Sequence, residues 1–404
     1  MTEKQDSMFS LLREGPLKVC ILGSGNWGTA CAGLVCANAK ESYLFCDQVK
    51  IWVREERLDD GRLLDEVMNE KRENVKYLPG FPLADNLVAV RDITEAVRDA
   101  DLIAFILPHQ FMEVTCKSIQ AAVKPSARAI TLVKGLHICD GVPYSFSKLV
   151  ETWLGIECSA LSGANVAKDV ANKQFCESTV GYKETEMASI WQQLFDRPHF
   201  RVHAVPDVEG VQVCGAVKNL IALAAGFCDG LGMGSNTKAA IIRLGVSEMK
   251  LFANIFFDGV LEETFFDSCG FADVITTCYG GRNVKCAAEF IRREQKSSWE
   301  DIETDLLGGQ KMQGQLTCKE VHEVLVKFKI LQFFPLFEVT HRVAFEHAPP
   351  DELLTVFMTA KPSEPKIDKE CTHSVLYGPL TRVQRDIKKH VQLCIQPCPP
   401  AKKT

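Results

Sequence analysis

Lys18-Val-Cys-Ile-Leu-Gly-Ser-Gly-Asn-Trp-Gly-Thr-Ala-Cys31 runs from a short apolar segment, Val19 to Leu22, through a G-x-G-x-x-G turn into small residues that continue to Ala37. The apolar segment predicts a buried strand, and the small residues predict a helix packed tightly on a sheet. Each glycine of the turn has a mechanical task. Gly23 permits the sharp bend, Gly25 lets a dinucleotide pyrophosphate approach bare backbone, and Gly28 lets helix and strand touch. The helix N-terminal amides, from Ser24, Asn26 and Trp27 onward, then face the phosphates.

The 404 residues are 46% hydrophobic and 24% charged, enough for two domains with substantial cores. A formal net charge of −6 argues against a nucleic-acid or anionic-membrane surface, which demands a basic face. Met1 to Glu14 is mostly polar and has no apolar core, so no secretory signal is expected. No apolar run is expected to reach the length of a membrane span. The 17 cysteines are scattered through apolar segments, as at Cys20, Cys36, Cys214 and Cys286, which suits reduced, buried thiols in the cytoplasm.

Val49-Lys-Ile-Trp-Val-Arg-Glu-Glu56 predicts a second strand ending in charge, where a dinucleotide fold meets the adenine ribose. Glu55 or Glu56 can accept from a ribose 2′-hydroxyl, whereas Arg54 can favour a 2′-phosphate or simply be solvated. Asp101-Leu-Ile-Ala-Phe-Ile-Leu-Pro108 predicts a strand buried on both faces, and Ala129–Gly135 and Cys158–Asn165 repeat the strand-then-helix pattern. Ligands of open parallel sheets sit beyond the strands' carboxyl ends, which makes Lys134, Gly163, Asn165 and Ala167 pocket candidates by position. From Asp207 the periodicity is almost purely helical, broken at Gly230–Gly234, Gly280-Gly281 and Gly308-Gly309. The expected organisation is an N-terminal extension (1–17), an α/β Rossmann-type domain with a mostly parallel sheet (18–206), an all-α domain (207–350), and a tail poorly ordered in part (351–404). In that tail Cys394, Cys398, His373 and His390 match no closed zinc spacing, and no metal ligand is assigned anywhere.

Val211 to Phe227 is apolar nearly all round and is interrupted at its centre by Lys218-Asn219. Gly215, Ala216, Ala222 and Ala224 offer little bulk for a lysine stem to lie along on its way to solvent. A lysine among them is desolvated and suited to proton exchange near neutral pH. Downstream, Asp273, Thr276 and Thr277 fall at i, i+3 and i+4, presenting a carboxylate and hydroxyls on one helical face. A carboxylate near Lys218 would steady and aim its ammonium. Gly280-Gly281 then breaks the helix and leaves Arg282 and Asn283 on a turn, either as donors for a phosphate or carboxylate or as an ordinary helix end.

With these motifs in hand, the chain closely resembles cytosolic NAD-dependent glycerol-3-phosphate dehydrogenases of the eukaryotic type. The segments that carry the likeness are Gly23–Gly28, Glu-Asn-Val-Lys-Tyr-Leu-Pro-Gly (73–80), Pro-His-Gln-Phe (108–111), Cys-Gly-Ala-Val-Lys-Asn (214–219), Gly-Phe-Cys-Asp-Gly-Leu-Gly (226–232), Asn-Thr-Lys-Ala-Ala (236–240) and Thr-Thr-Cys-Tyr-Gly-Gly-Arg-Asn (276–283). The resemblance implies a 6-phosphogluconate-dehydrogenase-like helical domain, NAD (NADH) as cofactor, a phosphorylated triose as substrate, a cytoplasmic location and a homodimer. It implies Lys218 as proton donor and acceptor at the substrate C2 oxygen, with Lys134, Asn219, Asp273 and Thr277 around it. Arg282 and Asn283 would hold the substrate phosphate, Arg282 also touching the cofactor, and Phe111, Ala167, Lys311 and Gln313 would contact or close over NAD. Arg54 stands where the family commonly has an apolar or aromatic residue. Two other readings compete: a related dehydrogenase of a hydroxy acid, with Arg282 on a carboxylate, and an idle NAD sensor, which would be expected to have lost Lys218 or Arg282.

Overall fold

Residues 15–358, 385–389 and 391 are described by the computed structural model. Their strands are β1 (Leu17–Leu22), β2 (Phe45–Trp52), β3 (Leu87–Val90), β4 (Leu102–Phe105), β5 (Arg128–Thr131), β6 (His137–Cys139), β7 (Val142–Tyr144), β8 (Cys158–Ser162), β9 (Cys176–Gly181) and β10 (Phe200–Val205). All but β6 and β7 form one sheet in the order β10-β9-β8-β5-β4-β1-β2-β3. Neighbours pair in parallel except β8 with β9, so the sheet is mostly parallel as the apolar runs predict. β1 is flanked by β2 on one side and β4 on the other, the reversal of strand order beside which such sheets hold ligands. The helices of this unit are α1 (Asn26–Glu41), α2 (Leu64–Lys71), α3 (Ile93–Val97), α4 (Met112–Ile119), α5 (Phe146–Leu154), α6 (Ala167–Ala171) and α7 (Thr185–Phe195). Buried Val19, Ile21, Val35, Ile51, Trp191 and Phe200 belong to its core.

The second unit is helical: most of α8 (Val208–Gly230), then α9 (Ser235–Phe256), α10 (Asp273–Gly280), α11 (Arg282–Arg292), α12 (Trp299–Leu307), α13 (Gly314–Lys327), α14 (Pro335–Phe345) and α15 (Glu352–Met358). The glycine breaks fall where the sequence put them, with Gly308 ending α12 in the left-handed conformation at φ 58°. The β6–β7 hairpin also clusters with this unit, since Lys327 of α13 donates to the Asp140 carbonyl at its turn. By contacts the division falls between Gln212 and Val213, inside α8, and not at 206/207. The first turn of α8 stays with the sheet because Gly181 packs against Asp207, whose Oδ1 accepts from the Gly210 amide, and Gln212 Oε1 accepts from the Ser147 amide at 3.2 Å.

One reading needs correction, that no apolar run reaches the length of a membrane span. α8 is long and apolar enough to cross a membrane by composition, but that stretch is wholly buried by protein, as befits a core helix. At the start of the 351–404 segment, α15 packs on α14, Leu353 is buried, and Arg342 pairs with Glu352 at 2.8 Å. Lys388 also donates to the Phe257 carbonyl, one residue past α9, at 3.0 Å. Residues 1–14, His373, His390, Cys394 and Cys398 lie outside the described residues. None of the fourteen described cysteines forms a disulfide with another, and all but Cys46 and Cys139 are buried. Burial pushes Cys20, Cys36, Cys116 and Cys278 up to about 12.

On α13 and α14 the rings of His322 and His341 stack face to face, with centroids 3.6 Å apart. Burial lowers both pKa values, and at His341 the neighbouring His322 adds to the effect, against the opposing pull of Glu346. A folded-state pKa below the ordinary 6.5 means that the pair's contribution to stability is complete above about pH 6.5 and is lost as pH falls below it. The thermal midpoint of the protein should therefore fall more steeply between pH 7 and pH 5.5 than that of His341→Gln. Parallel slopes in a calorimetric pH series would show that the pair does not contribute.

Candidate functional site

In the first unit the glycine turn follows β1, with the Ile106 amide donating to the Leu22 carbonyl at 2.8 Å. Gly23 has φ +121°, and a Cβ there would lie 2.1 Å from the Ile106 carbonyl oxygen. A Cβ on Gly28 would lie 2.0 Å from the Gly23 carbonyl oxygen. These two glycines are therefore demanded by the fold. Gly25 is different: a Cβ there would meet nothing within 4 Å. Gly25 lines a cavity of about 800 Å³ together with Gly23, Ser24, Arg54, Glu55, Tyr77 and Phe111. Bare backbone at a helix N-terminus, facing a cavity of that size, fits a dinucleotide pyrophosphate.

β2 stops at Trp52, so Arg54, Glu55 and Glu56, which also line the cavity, lie beyond the strand. Arg54 sits over the Phe111 ring, 5.8 Å from its centroid. Glu56 accepts from Lys76 and, at 2.9 Å, from the Tyr77 hydroxyl. Burial alone would raise the Glu56 carboxyl, but these hydrogen bonds outweigh it and hold the pKa below the usual range. Lys134, three residues past β5, donates to the Gly163 carbonyl at 2.9 Å and to Asn165 Oδ1 at 3.0 Å, so these positional candidates do meet. Ala167 opens α6 and is half-buried. Asn26 accepts from the Trp27 amide at 2.7 Å.

In the second unit Lys218 lies on α8 and is 5% exposed. Its Nζ donates to Asp273 Oδ1 at 2.5 Å and to Thr277 Oγ1 at 2.9 Å, while the Thr277 hydroxyl donates to the Asp273 carbonyl at 2.6 Å. Asp273 and Thr277 share a face of α10 at the i, i+4 spacing, and a π-helical turn, Ser268–Ala272, leads into it. Such turns re-aim the helix that follows and recur at functional sites. A Cβ on Gly270 would fall 2.3 Å from the Phe265 carbonyl oxygen, which is what restricts this turn to glycine. Beside the lysine, Asn219 Oδ1 accepts from Asn283 Nδ2 at 2.9 Å, and Asn283 Oδ1 accepts from the Gly314 amide at 2.9 Å. Asn283, read from sequence as a phosphate donor, thus spends part of its amide tying α8, α11 and α13 together.

Arg282 opens α11 with Gly281 as its cap, is exposed, and donates to the Lys311 carbonyl at 3.3 Å. Lys311 pairs with Glu303 at 2.7 Å, a hydrogen bond that raises the lysine pKa. Glu303 is fully buried and also accepts from the Met312 amide and from Gln315, so it anchors the loop carrying Lys311 and Gln313. Sequence reading missed Glu303 and Gly314, because nothing local marks a carboxylate or glycine whose partners come from other helices. His322, His341 and Glu346 are the group of potential metal donors among the described residues. Their imidazole planes are 4° from parallel, so the ring lone pairs run side by side and do not converge on one ion.

Comparison with known proteins accords with both halves of this geometry. Residues 18–188 match the family model for the N-terminus of NAD-dependent glycerol-3-phosphate dehydrogenase, and residues 207–355 match the model for its C-terminus. The chain is 47% identical to glycerol-3-phosphate dehydrogenase [NAD(+)] of Cuphea lanceolata over 84% of its own length and 92% of the relative's. It is 45% identical to the cytoplasmic glycerol-3-phosphate dehydrogenase [NAD(+)] of Pongo abelii over 83% of its own length and 96% of the relative's. Among solved structures, the glycerol-3-phosphate dehydrogenase of Plasmodium falciparum superposes with a TM-score of 0.84 at 43% identity, covering 90% of this chain and 99% of that one. The chain belongs to the NAD-dependent glycerol-3-phosphate dehydrogenase family of oxidoreductases.

Proposed function

We propose that Lys218 carries the proton in the NAD-dependent interconversion of sn-glycerol 3-phosphate and dihydroxyacetone phosphate, the reaction of the family. The observation that carries this assignment is a lysine almost wholly buried on an apolar helix, held by Asp273 and Thr277 and flanked by Asn219. When bound, NAD supplies hydride exchange with the substrate's C2. In ketone reduction the Lys218 ammonium donates a proton to the C2 oxygen, and in alcohol oxidation the neutral amine takes it back. Asp273 compensates the buried ammonium and aims it, and Thr277 fixes its direction. As negative charge grows on the ketone oxygen, a preoriented ammonium stabilises it without reorganising. Lys134 is proposed as a second cation on the substrate.

Arg282, exposed at the start of α11, is proposed to hold the substrate phosphate with the remaining donor capacity of Asn283. Binding energy gathered at the phosphate is remote from C2 and can be spent on positioning it. Gly23, Ser24, Gly25, Asn26, Trp27 and Gly28 are proposed to seat the NAD pyrophosphate, with Phe111, Ala167, Arg282, Lys311 and Gln313 as further cofactor contacts. A cytosolic location is supported by described cysteines that form no disulfide and by a cytoplasmic relative, although a chloroplastic relative is also similar. A homodimer is supported by the family resemblance, and light scattering on the purified chain at micromolar concentration should give twice the 44.9 kDa chain mass.

Lys218→Ala should lower turnover of dihydroxyacetone phosphate by about 10²–10⁴. It should also cost about 3–5 kcal/mol of stability, because the buried Asp273 carboxylate loses its partner. Adding Asp273→Asn should restore the denaturant midpoint but not the rate. A double variant that regains turnover would remove Lys218 from the chemistry.

Arg54 is engaged by the Phe111 ring, and Glu56 is held ionised beside the cavity. NADH should therefore be oxidised at least about tenfold faster than NADPH, since a 2′-phosphate would meet that carboxylate. Comparable rates with the two cofactors would place Arg54 against the 2′-phosphate instead.

A further inference from the structure

The segment Glu73–Gly80 carries a fully buried polar residue, Asn74, whose partners all lie in the first unit. Its Nδ2 donates to the Ser24 carbonyl at 2.8 Å and to Thr29 Oγ1 at 2.8 Å, and its Oδ1 accepts from the Tyr77 amide at 3.0 Å. Thr29 Oγ1 donates to the same Ser24 carbonyl at 3.1 Å. One carbonyl of the glycine turn thus receives two donors from behind.

The consequence follows from peptide planarity. In a trans peptide the carbonyl and the next N–H point in opposite directions, so drawing the Ser24 carbonyl toward Asn74 and Thr29 aims the Gly25 N–H the other way. That N–H takes no acceptor among the described residues, and Gly25 lines the cavity with open space where a Cβ would stand. Were this peptide to rotate, a carbonyl oxygen would face the cavity in place of a donor, and an anion there would be repelled and not bound. Either orientation is open to a glycine, so something outside the turn must choose between them.

We propose that Asn74 is a positioning residue for the cofactor: by pinning the Ser24 carbonyl it holds the Ser24–Gly25 peptide with its N–H toward the dinucleotide pyrophosphate. Thr29 assists through its hydroxyl. The Tyr77 amide orients the Asn74 side chain, and the same tyrosine's hydroxyl reaches Glu56, so one short segment braces both the glycine turn and the Glu56 carboxylate. This rests on the assignment of the turn at Gly23–Gly28 to the pyrophosphate.

The test is steady-state kinetics on the full chain with NADH varied at saturating dihydroxyacetone phosphate, alongside NADH titration by fluorescence. Asn74→Ala should raise the KM and Kd for NADH about tenfold, with kcat nearly unchanged. Asn74→Asp should raise them further, because a carboxylate would then face the Ser24 carbonyl oxygen. A purely structural role would lower kcat and the thermal midpoint while leaving the KM of the folded fraction at its original value, and that outcome overturns the proposal. Should Asn74 variants fail to fold, Thr29→Val against Thr29→Ser carries the same test: a raised KM in the first alone supports it, and equal KM values overturn it. Gly25→Val separates the two layers. If it leaves NADH affinity unaltered, the turn is not the pyrophosphate seat and the underlying assignment fails; if it weakens NADH while Asn74→Ala does not, only the role of Asn74 fails.

Discussion

An ammonium buried at the centre of an apolar helix is tolerable only if a counter-charge and hydrogen-bond acceptors are built around it, and Lys218 imposes that requirement on the second unit. Asp273 meets it from α10, Thr277 adds an acceptor one turn on, and the π-helical turn before α10 sets the rotation that lets both face the lysine. Next to it, Asn219, Asn283 and the Gly314 amide form a chain in which each group takes part of the next one's hydrogen-bonding capacity. Such a chain has little freedom to relax. A Cβ on Gly314 would fall 2.9 Å from the Asn219 carbonyl oxygen and 3.0 Å from Asn283 Oδ1, so even a methyl group there would press on the lysine's surroundings.

Much of this was legible in the sequence, for reasons that differ from residue to residue. The division of labour among Gly23, Gly25 and Gly28 could be read because a turn between a strand and a helix leaves few conformations, and the structure puts two of the glycines in contacts that no side chain survives. Lys218 stood out because a charge among alanines and glycines has nowhere to hide, and the i, i+4 spacing of Asp273 and Thr277 announced a shared face. The cofactor contacts proposed at Phe111, Lys311 and Gln313 came from family likeness alone.

What stayed hidden depends on partners far away in the chain. Asn74 acts through Ser24, fifty positions earlier, and no local pattern separates it from a solvated asparagine. Glu303 looks like one more acid on an amphipathic helix until Lys311, Met312 and Gln315 are seen to converge on it. The β6–β7 hairpin joins the helical unit through a lysine on α13, and the first turn of α8 stays with the sheet through Asp207 and Gln212. Periodicity marks where elements begin, but it does not say which core claims them.

The buried cysteines have a chemical property unconnected with catalysis. A thiol whose pKa is about 12 exists as the nucleophilic thiolate only about once in 10⁵ molecules at pH 7. Cys278, on the same short helix as Asp273 and Thr277, is one of these. These buried thiols are therefore poor substrates for peroxides and alkylating reagents while the surrounding structure stays folded, and become good ones on opening. Their resistance to oxidation is a by-product of packing, and it should disappear together with the fold.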